Sequence, residues 1–256
     1  MPAPKNTFKQ ALAEGRRQIG CWMSFADGQA AEIMGTAGFD WLVLDGEHAP
    51  NDIRSIRDQL IALAASPSHP VVRVPIGETW LIKQVLDAGA QTVLVPMVES
   101  AEQARELVRA CTYPPTGTRG VGAAGGRATM FASIPDYIPT ADAEICLLVQ
   151  VESRAGLAAL DDILAVDGID GVFIGPADLS TDMGFKGNSA APEVRAAIAD
   201  AISRISAAGK APGILGVTEE ATQSYHDMGA QFLAVGIDVL VLAQTSRALA
   251  KRWKEA

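Results

Sequence analysis

The run Leu44-Asp45-Gly46-Glu47-His48-Ala49-Pro50-Asn51-Asp52 follows an apolar stretch and sets two acids and a histidine within four residues. Asp45 and His48 are spaced so that a carboxylate can orient an imidazole, a common general-base arrangement. A loop or capping histidine is the plainer alternative. Arg73 stands inside VVRVP (71–75). An arginine in a buried strand needs a partner. That partner is either a core acid such as Asp45, or a substrate carboxylate or developing oxyanion that the cation stabilises. Glu152, in VQVES (149–153), and Asp178, in GPADLS (175–180), each close an apolar run. No thiolate or histidine pair accompanies them, so they do not suit zinc. Two carboxylates plus waters suit a hard ion such as Mg²⁺ or Mn²⁺. The alternative is that both are helix-start acids favoured by the helix dipole.

Gly175-Pro176-Ala177-Asp178 reads as the start of a helix, where free N–H groups can hold a small carboxylate or simply be capped. His69 lies in a Ser/Pro loop and His226 on a helix face, and neither suggests chemistry. Lys83 falls in a helix, Lys186 in a loop, and Lys210 before a strand rather than after it. Schiff-base chemistry is therefore disfavoured.

The elements that would position these groups repeat along the chain. Apolar, β-rich runs occur at 18–25, 39–44, 70–74, 91–97, 145–151, 171–174, 211–216 and 231–236. Most are nearly continuous, as in parallel strands buried on both faces. Helical periodicity separates them, most clearly at 28–37, 52–65, 101–111 and 193–208. Several of these stretches stop at a glycine, as at Gly89 and Gly229. Eight β/α units in 256 residues match a (β/α)₈ TIM barrel in a single domain spanning 1–256. A nucleotide-binding open sheet is poorly supported, because the first strand is followed by no Gly-x-Gly-x-x-Gly and there is no P-loop. In a parallel barrel the site forms at the C-terminal ends of the strands. Trp22, Asp45, Glu47, His48, Arg73, Gln150, Glu152, Asp178 and Leu215 all fall at or near such ends. The stretch 113–137, rich in Gly, Pro and Ala, is long for a connection, and long loops are usually functional or mobile.

The net charge is −9, and no basic run or aromatic-basic stripe suggests nucleic acid. No apolar run is long enough to span a bilayer, and the N-terminus has no signal-peptide core. Cys21, Cys111 and Cys146 are widely spaced in apolar surroundings and read as small core residues of a cytoplasmic protein.

The segments LDGEHAPND, VVRVP, LDAGAQTVLVPMVES, YPPTGTRGVG, VQVESRAGL, GVFIGPADLSTDMG and KAPGIL together resemble the HpcH/HpaI family of class II pyruvate aldolases. The likeness is greatest to members acting on 4-hydroxy-2-oxoheptanedioate. It runs from Phe8 to about Lys251. The resemblance implies a barrel that assembles as a homohexamer with the C-terminal helix exchanged between subunits. It implies reversible cleavage of 4-hydroxy-2-oxo acids to pyruvate and a small aldehyde, with a divalent ion (Mg²⁺, Mn²⁺ or Co²⁺). Carried over by position, Glu152 and Asp178 would ligate the metal. Arg73 would stabilise the enolate, and His48 with Asp45 would move protons. Gln150 and the N–H groups of Ala177 and Asp178 would hold pyruvate, Trp22 and Leu215 would line the pocket, and Asp87 would reach a neighbouring subunit's site. The family's Ser-Arg-aromatic is here Thr129-Met130-Phe131, so a cation is missing where a second carboxylate could be read. That leaves succinic semialdehyde, glyceraldehyde-type and other short hydroxy-aldehydes open. Related readings are a 2-keto-3-deoxy sugar acid aldolase, a CoA-thioester lyase, for which the basic patch is lacking, and a carboxylate-binding protein on the same fold.

Overall fold

Glycine and bulky aromatics alternate inside this barrel because its interior must be filled by side chains alone. A computed structural model describes residues 1–255, so Ala256 lies outside the described residues. The strands are β1 (Gln18–Met23), β2 (Trp41–Asp45), β3 (His69–Arg73), β4 (Thr92–Val95), β5 (Cys146–Val151), β6 (Gly171–Ile174), β7 (Ala211–Leu215) and β8 (Phe232–Ile237). Each pairs in parallel with its sequence neighbours, and β8 returns to β1 to close the barrel. Trp41, Phe173, Phe232, Leu94 and Leu148 fill the lumen. Gly20 lies beside Trp41 and Gly213 beside Phe232; a Cβ at either glycine would strike the ring next to it. α1 (Thr7–Ala13) packs Phe8 onto this cluster, with ring centroids 5.8 Å from Trp41 and 6.1 Å from Phe232.

The outer layer comprises α2 (Gly28–Gly35), α3 (Ile53–Ala62), α4 (Thr79–Asp87), α5 (Ala101–Cys111), α6 (Tyr137–Ala141), α7 (Arg154–Ala158), α8 (Leu160–Leu164), α9 (Pro176–Asp182), α10 (Pro192–Ala207), α11 (Glu219–Asp227) and α12 (Asp238–Lys254). Their apolar stripes meet the outward faces of the strands in a second buried layer, which explains the near-continuous apolar runs. The helical stretch expected at 52–65 divides into α3 and a short 3₁₀ turn, Leu63–Ala65. α4 and α11 end before Gly89 (φ 105°) and Gly229 (φ 98°), which supply the left-handed turn.

The long stretch 113–137 follows α5 and precedes β5, so it lies at the end of the barrel opposite the strands' C-termini. It is anchored there by Arg119, which is fully buried. Arg119 pairs with Asp87 at 3.2 Å and stacks 4.5 Å from the Tyr113 ring. Among the described residues no helix is long and apolar enough to cross a membrane. The three cysteines are free and buried, and burial pushes the thiols of Cys21 and Cys111 up to about 12, so they are chemically quiet.

His69 bears no relation to the strands' C-terminal ends. Its ring stacks on Phe8 at 5.5 Å and bonds Thr92 Oγ1 at 2.8 Å, and burial pushes its pKa down to about 4. The folded value lies below the unfolded one, so the native state is fully favoured above the unfolded pKa near 6.5 and loses ground as pH falls toward 4. The loss should reach up to about 3 kcal/mol. Urea unfolding at pH 7 and pH 4.5 should show this slope in the parent and a shallower one in His69→Gln. Parallel slopes would assign the acid sensitivity elsewhere.

Candidate active site

The loop after β2 is held rigid by its own polar groups. Asp45 Oδ1 accepts the N–H groups of Glu47 (2.9 Å) and His48 (3.3 Å). Asn51 Nδ2 donates to the Asp45 carbonyl at 2.9 Å, and Asp52 caps α3 in a reciprocal capping box with Ser55. Much of the dense polar cluster is therefore scaffolding, and its product is a fixed Asp45 carboxylate.

That carboxylate grips Arg73, whose Nε reaches Asp45 Oδ1 at 2.8 Å and whose Nη2 reaches Oδ2 at 2.7 Å. The Trp22 indole N–H also donates to Oδ2, at 3.1 Å, and the guanidinium lies 4.9 Å over the Trp22 ring. Glu47 takes the remaining side of the fork, with its Oε2 2.6 Å from Nη1. Burial pushes the Asp45 carboxyl up, but the bonds and charge of Arg73 outweigh it and hold it below the usual range. Glu47 is raised: its burial, with Asp45 and Asp178 nearby, outweighs Arg73 and His48.

The expected orientation of His48 by Asp45 is not formed. The Asp45 oxygens are taken by Arg73, Trp22 and two backbone N–H groups. The His48 side chain is 66% exposed, with its Nε2 3.8 Å from Glu47 Oε1. His48 thus stands free at the rim, and Asp45 is Arg73's partner instead.

β5 carries Gln150 near its C-terminal end and is followed directly by Glu152, both buried. Glu152 Oε1 accepts the Met97 N–H at 2.9 Å, and Oε2 accepts from the Gln150 amide. Met97 adopts a left-handed φ of 55°, a backbone strain of the kind found at functional sites. Burial raises the Glu152 pKa, and Glu47 and Asp178 add to it. A Cβ on Gly175 would strike the Glu152 carboxylate and come within 2.8 Å of its Cβ, so glycine there lets the β6–α9 turn close over the acid. Asp178 follows on the first turn of α9 behind Pro176.

These groups line one cavity of about 460 Å³ at the C-terminal mouth. Trp22, Asp45, His48, Arg73, Gln150, Glu152, Ala177, Asp178 and Leu215 all line it. Asp87 does not; it sits at the end of α4, paired with Arg119. Sequence reasoning gave no role to Glu47, although its place two residues after Asp45 in a tight turn was a usable signal. Tyr225 and Ser189 also line the mouth, and nothing local in the sequence marks them.

The donors suit a hard cation. Asp45, Glu47, Glu152 and Asp178 outnumber the positive charge of Arg73, and the buried Gln150 Oε1 has no hydrogen-bond partner. Among the described residues no group of three or more His, Cys, Asp or Glu side chains is arranged to hold a metal. Mg²⁺ usually takes one or two carboxylates and leaves positions for water and substrate oxygens.

The HpcH/HpaI aldolase/citrate lyase family matches residues 18–245. The chain is 61% identical over 255 residues to a hydroxypyruvate/pyruvate aldolase from Roseobacter denitrificans, covering 100% of both. It is 54% identical over 249 residues to a 4-hydroxy-2-oxo-heptane-1,7-dioate aldolase from Salmonella dublin, covering 97% of this chain and 95% of that protein. A crystal structure of an HpcH/HpaI aldolase/citrate lyase family protein from Burkholderia cenocepacia superposes with a TM-score of 0.95 at 39% identity, covering 98% of this chain and 100% of that one. With the barrel, the acid-lined mouth and these relatives in agreement, the chain belongs to the HpcH/HpaI aldolase/citrate lyase family and is an aldolase.

Proposed function

We propose that this aldolase is divalent-metal-dependent and reversibly cleaves 4-hydroxy-2-oxo acids to an aldehyde and pyruvate or hydroxypyruvate. The observation that carries the reading is that the clamped Arg73 lines one cavity with Glu152 and Asp178. The names of the relatives support the ketoacid half: hydroxypyruvate/pyruvate aldolase at 61% identity and 4-hydroxy-2-oxo-heptane-1,7-dioate aldolase at 54%.

Glu152 and Asp178 would hold the ion, which when bound supplies a Lewis acid and offsets the surplus of carboxylates. The N–H groups of Ala177 and Asp178, on the first turn of α9, have no intrahelical acceptor and bind the ketoacid carboxylate. Gln150 lines the same cavity, with a buried Oε1 that has no hydrogen-bond partner. His48 takes the C4 hydroxyl proton at the exposed rim. The C3–C4 bond breaks, the aldehyde leaves, and the electron pair collects as the enolate. Arg73 stabilises that oxyanion from a geometry it holds before substrate arrives, so little reorganisation is needed. Protonation at C3 completes pyruvate. Trp22 and Leu215 provide an apolar wall that excludes water.

His48→Ala should lower retro-aldol kcat by about 10²-fold while changing pyruvate affinity little. An equal loss in both would make His48 a binding group.

α12 presents Leu240, Val241, Leu242, Leu249 and Trp253 to solvent, a large apolar surface for one helix. We place it against a second copy of the chain, in an assembly in which Asp87 reaches a neighbour's mouth. Sedimentation of a monomer at micromolar concentration would contradict this.

The deciding experiment is incubation of metal-stripped protein with pyruvate in D₂O, with and without Mg²⁺ or Mn²⁺, following the methyl protons by NMR. Metal-dependent deuterium uptake is expected. No uptake with metal demonstrably bound would refute the reading.

A further inference from the structure

Met97 keeps a backbone conformation that its own side chain does not favour. Its φ of 55° is left-handed, a region that asparagine and glycine enter far more readily than methionine. The side chain gives no reason for the turn: it is 47% exposed and is not among the residues lining the cavity. Among the described residues the other non-glycine positions with positive φ are Ala26, Met130, Phe131 and Ala132, and the last three belong to the long stretch at the far end of the barrel.

The reason lies in the main chain. β4 ends at Val95, and the residues after it run beside the end of β5. The Val98 N–H donates to the Gln150 carbonyl at 3.0 Å, which keeps the loop in step with the strand that leads to Glu152. One residue earlier, the Met97 N–H donates to Glu152 Oε1 at 2.9 Å. Glu152 Oε2 accepts from the Gln150 amide. A donor on each oxygen fixes the rotation of the carboxylate and still leaves each oxygen a lone pair for a ligand.

Strain of this sort persists only where its surroundings over-determine it. Here they do so from α5. Gln103, on the first turn of that helix, accepts the Glu99 N–H on its Oε1 at 3.0 Å and donates from Nε2 to the Met97 carbonyl at 3.2 Å. The Gln103 N–H is itself held by Ser100 Oγ at 3.1 Å, which sets where the side chain starts. Ser153 Oγ ties the Glu99 carboxylate to the residue after Glu152, at 2.5 Å. One half-buried glutamine therefore bonds both ends of the turn from Met97 to Glu99. Moving Met97 out of the left-handed region would break its bond to Gln103 or its bond to Glu152.

We propose that the left-handed turn at Met97, braced by Gln103, is the device that sets Glu152 for a divalent cation. Met97 and Gln103 are positioning residues: they act through Glu152 and touch neither ion nor substrate. The proposal rests on the metal reading above.

The test titrates the full-length, metal-stripped protein with Mn²⁺ alone, following the free ion by electron paramagnetic resonance and the metal-free Tm in parallel. Gln103→Met keeps the length of the side chain and removes both bonds. Its Mn²⁺ Kd should rise about tenfold, the scale on which groups behind a metal ligand act. Gln103→Glu keeps an acceptor for the Glu99 N–H and loses the donor to Met97. It should also weaken binding, although its added charge alone would tighten it. Met97→Gly in the Gln103→Met background should restore most of the lost affinity, because glycine holds the left-handed turn without the brace. An unchanged Kd in Gln103→Met, whatever its metal-free Tm, would make the glutamine a structural brace and overturn the proposal. Tighter binding in Gln103→Glu, or no rescue by Met97→Gly, would overturn it as well. A parent protein that binds no Mn²⁺ would instead overturn the metal reading, and the positioning role with it.

Discussion

Replacing Glu152 with Gln, or Asp178 with Asn, is expected to lower turnover by about a thousandfold or more while the fold survives. Both side chains keep their shape and lose their charge, and one acceptor oxygen becomes a donor NH2, which at Glu152 the Gln150 amide can answer by turning its own oxygen toward it. For Glu152 the folded state should tolerate the change well, because burial and the neighbouring Glu47 and Asp178 already disfavour its ionised form. Two readouts separate metal loss from a packing defect. In the parent, added Mg²⁺ or Mn²⁺ should raise Tm by mass action; in either variant that shift should shrink or vanish. Melting without metal should stay close to the parent. A variant that keeps its activity would refute the ligand assignment. One that melts far below the parent without metal would show that the acid is structural.

Arg73→Ala should cost about 10²–10³-fold in pyruvate enolisation, the scale of removing one preorganised oxyanion donor. It should also destabilise the protein by about 3–5 kcal/mol, because Asp45 and Glu47 would be left partly buried without their partner. Arg73→Lys separates the two effects. A lysine supplies the charge as a point but cannot span Asp45 bidentately while meeting Glu47. It should recover most of the stability and little of the enolisation rate. Deuterium exchange into pyruvate and urea unfolding of the same samples would check both. An unaffected exchange rate in Arg73→Ala would confine Arg73 to holding the loop together.

Arg73 also shows where sequence reasoning reached its limit. Its position in VVRVP allowed either a core ion pair or a substrate cation. The structure makes the ion pair, and by the same contact aims the guanidinium into the cavity. The one geometry serves both readings, and spacing along a strand cannot report that. His48 is the counterpart. Its distance from Asp45 in sequence suggested an oriented imidazole, yet the loop's backbone N–H groups and Arg73 compete for the same oxygens and win.

By itself the sequence determined the barrel and the position of its mouth. Eight runs that are apolar on both faces, separated by amphipathic helices, have few other ways to bury themselves, and strand ends can be read from where the apolar runs stop. It also determined which residue types could meet there: Glu152, Asp178, Arg73 and Gln150. Only the tertiary structure decided which oxygens are free. It showed that Asp45 belongs to Arg73, that Gly175 opens a place for Glu152, and that Asp87 and the 113–137 stretch lie at the opposite end of the barrel. The physical reason is that burial and periodicity are properties of local sequence. Competition for hydrogen bonds and the sum of nearby charges depend on residues tens to hundreds of positions apart, which only closure of the barrel brings together.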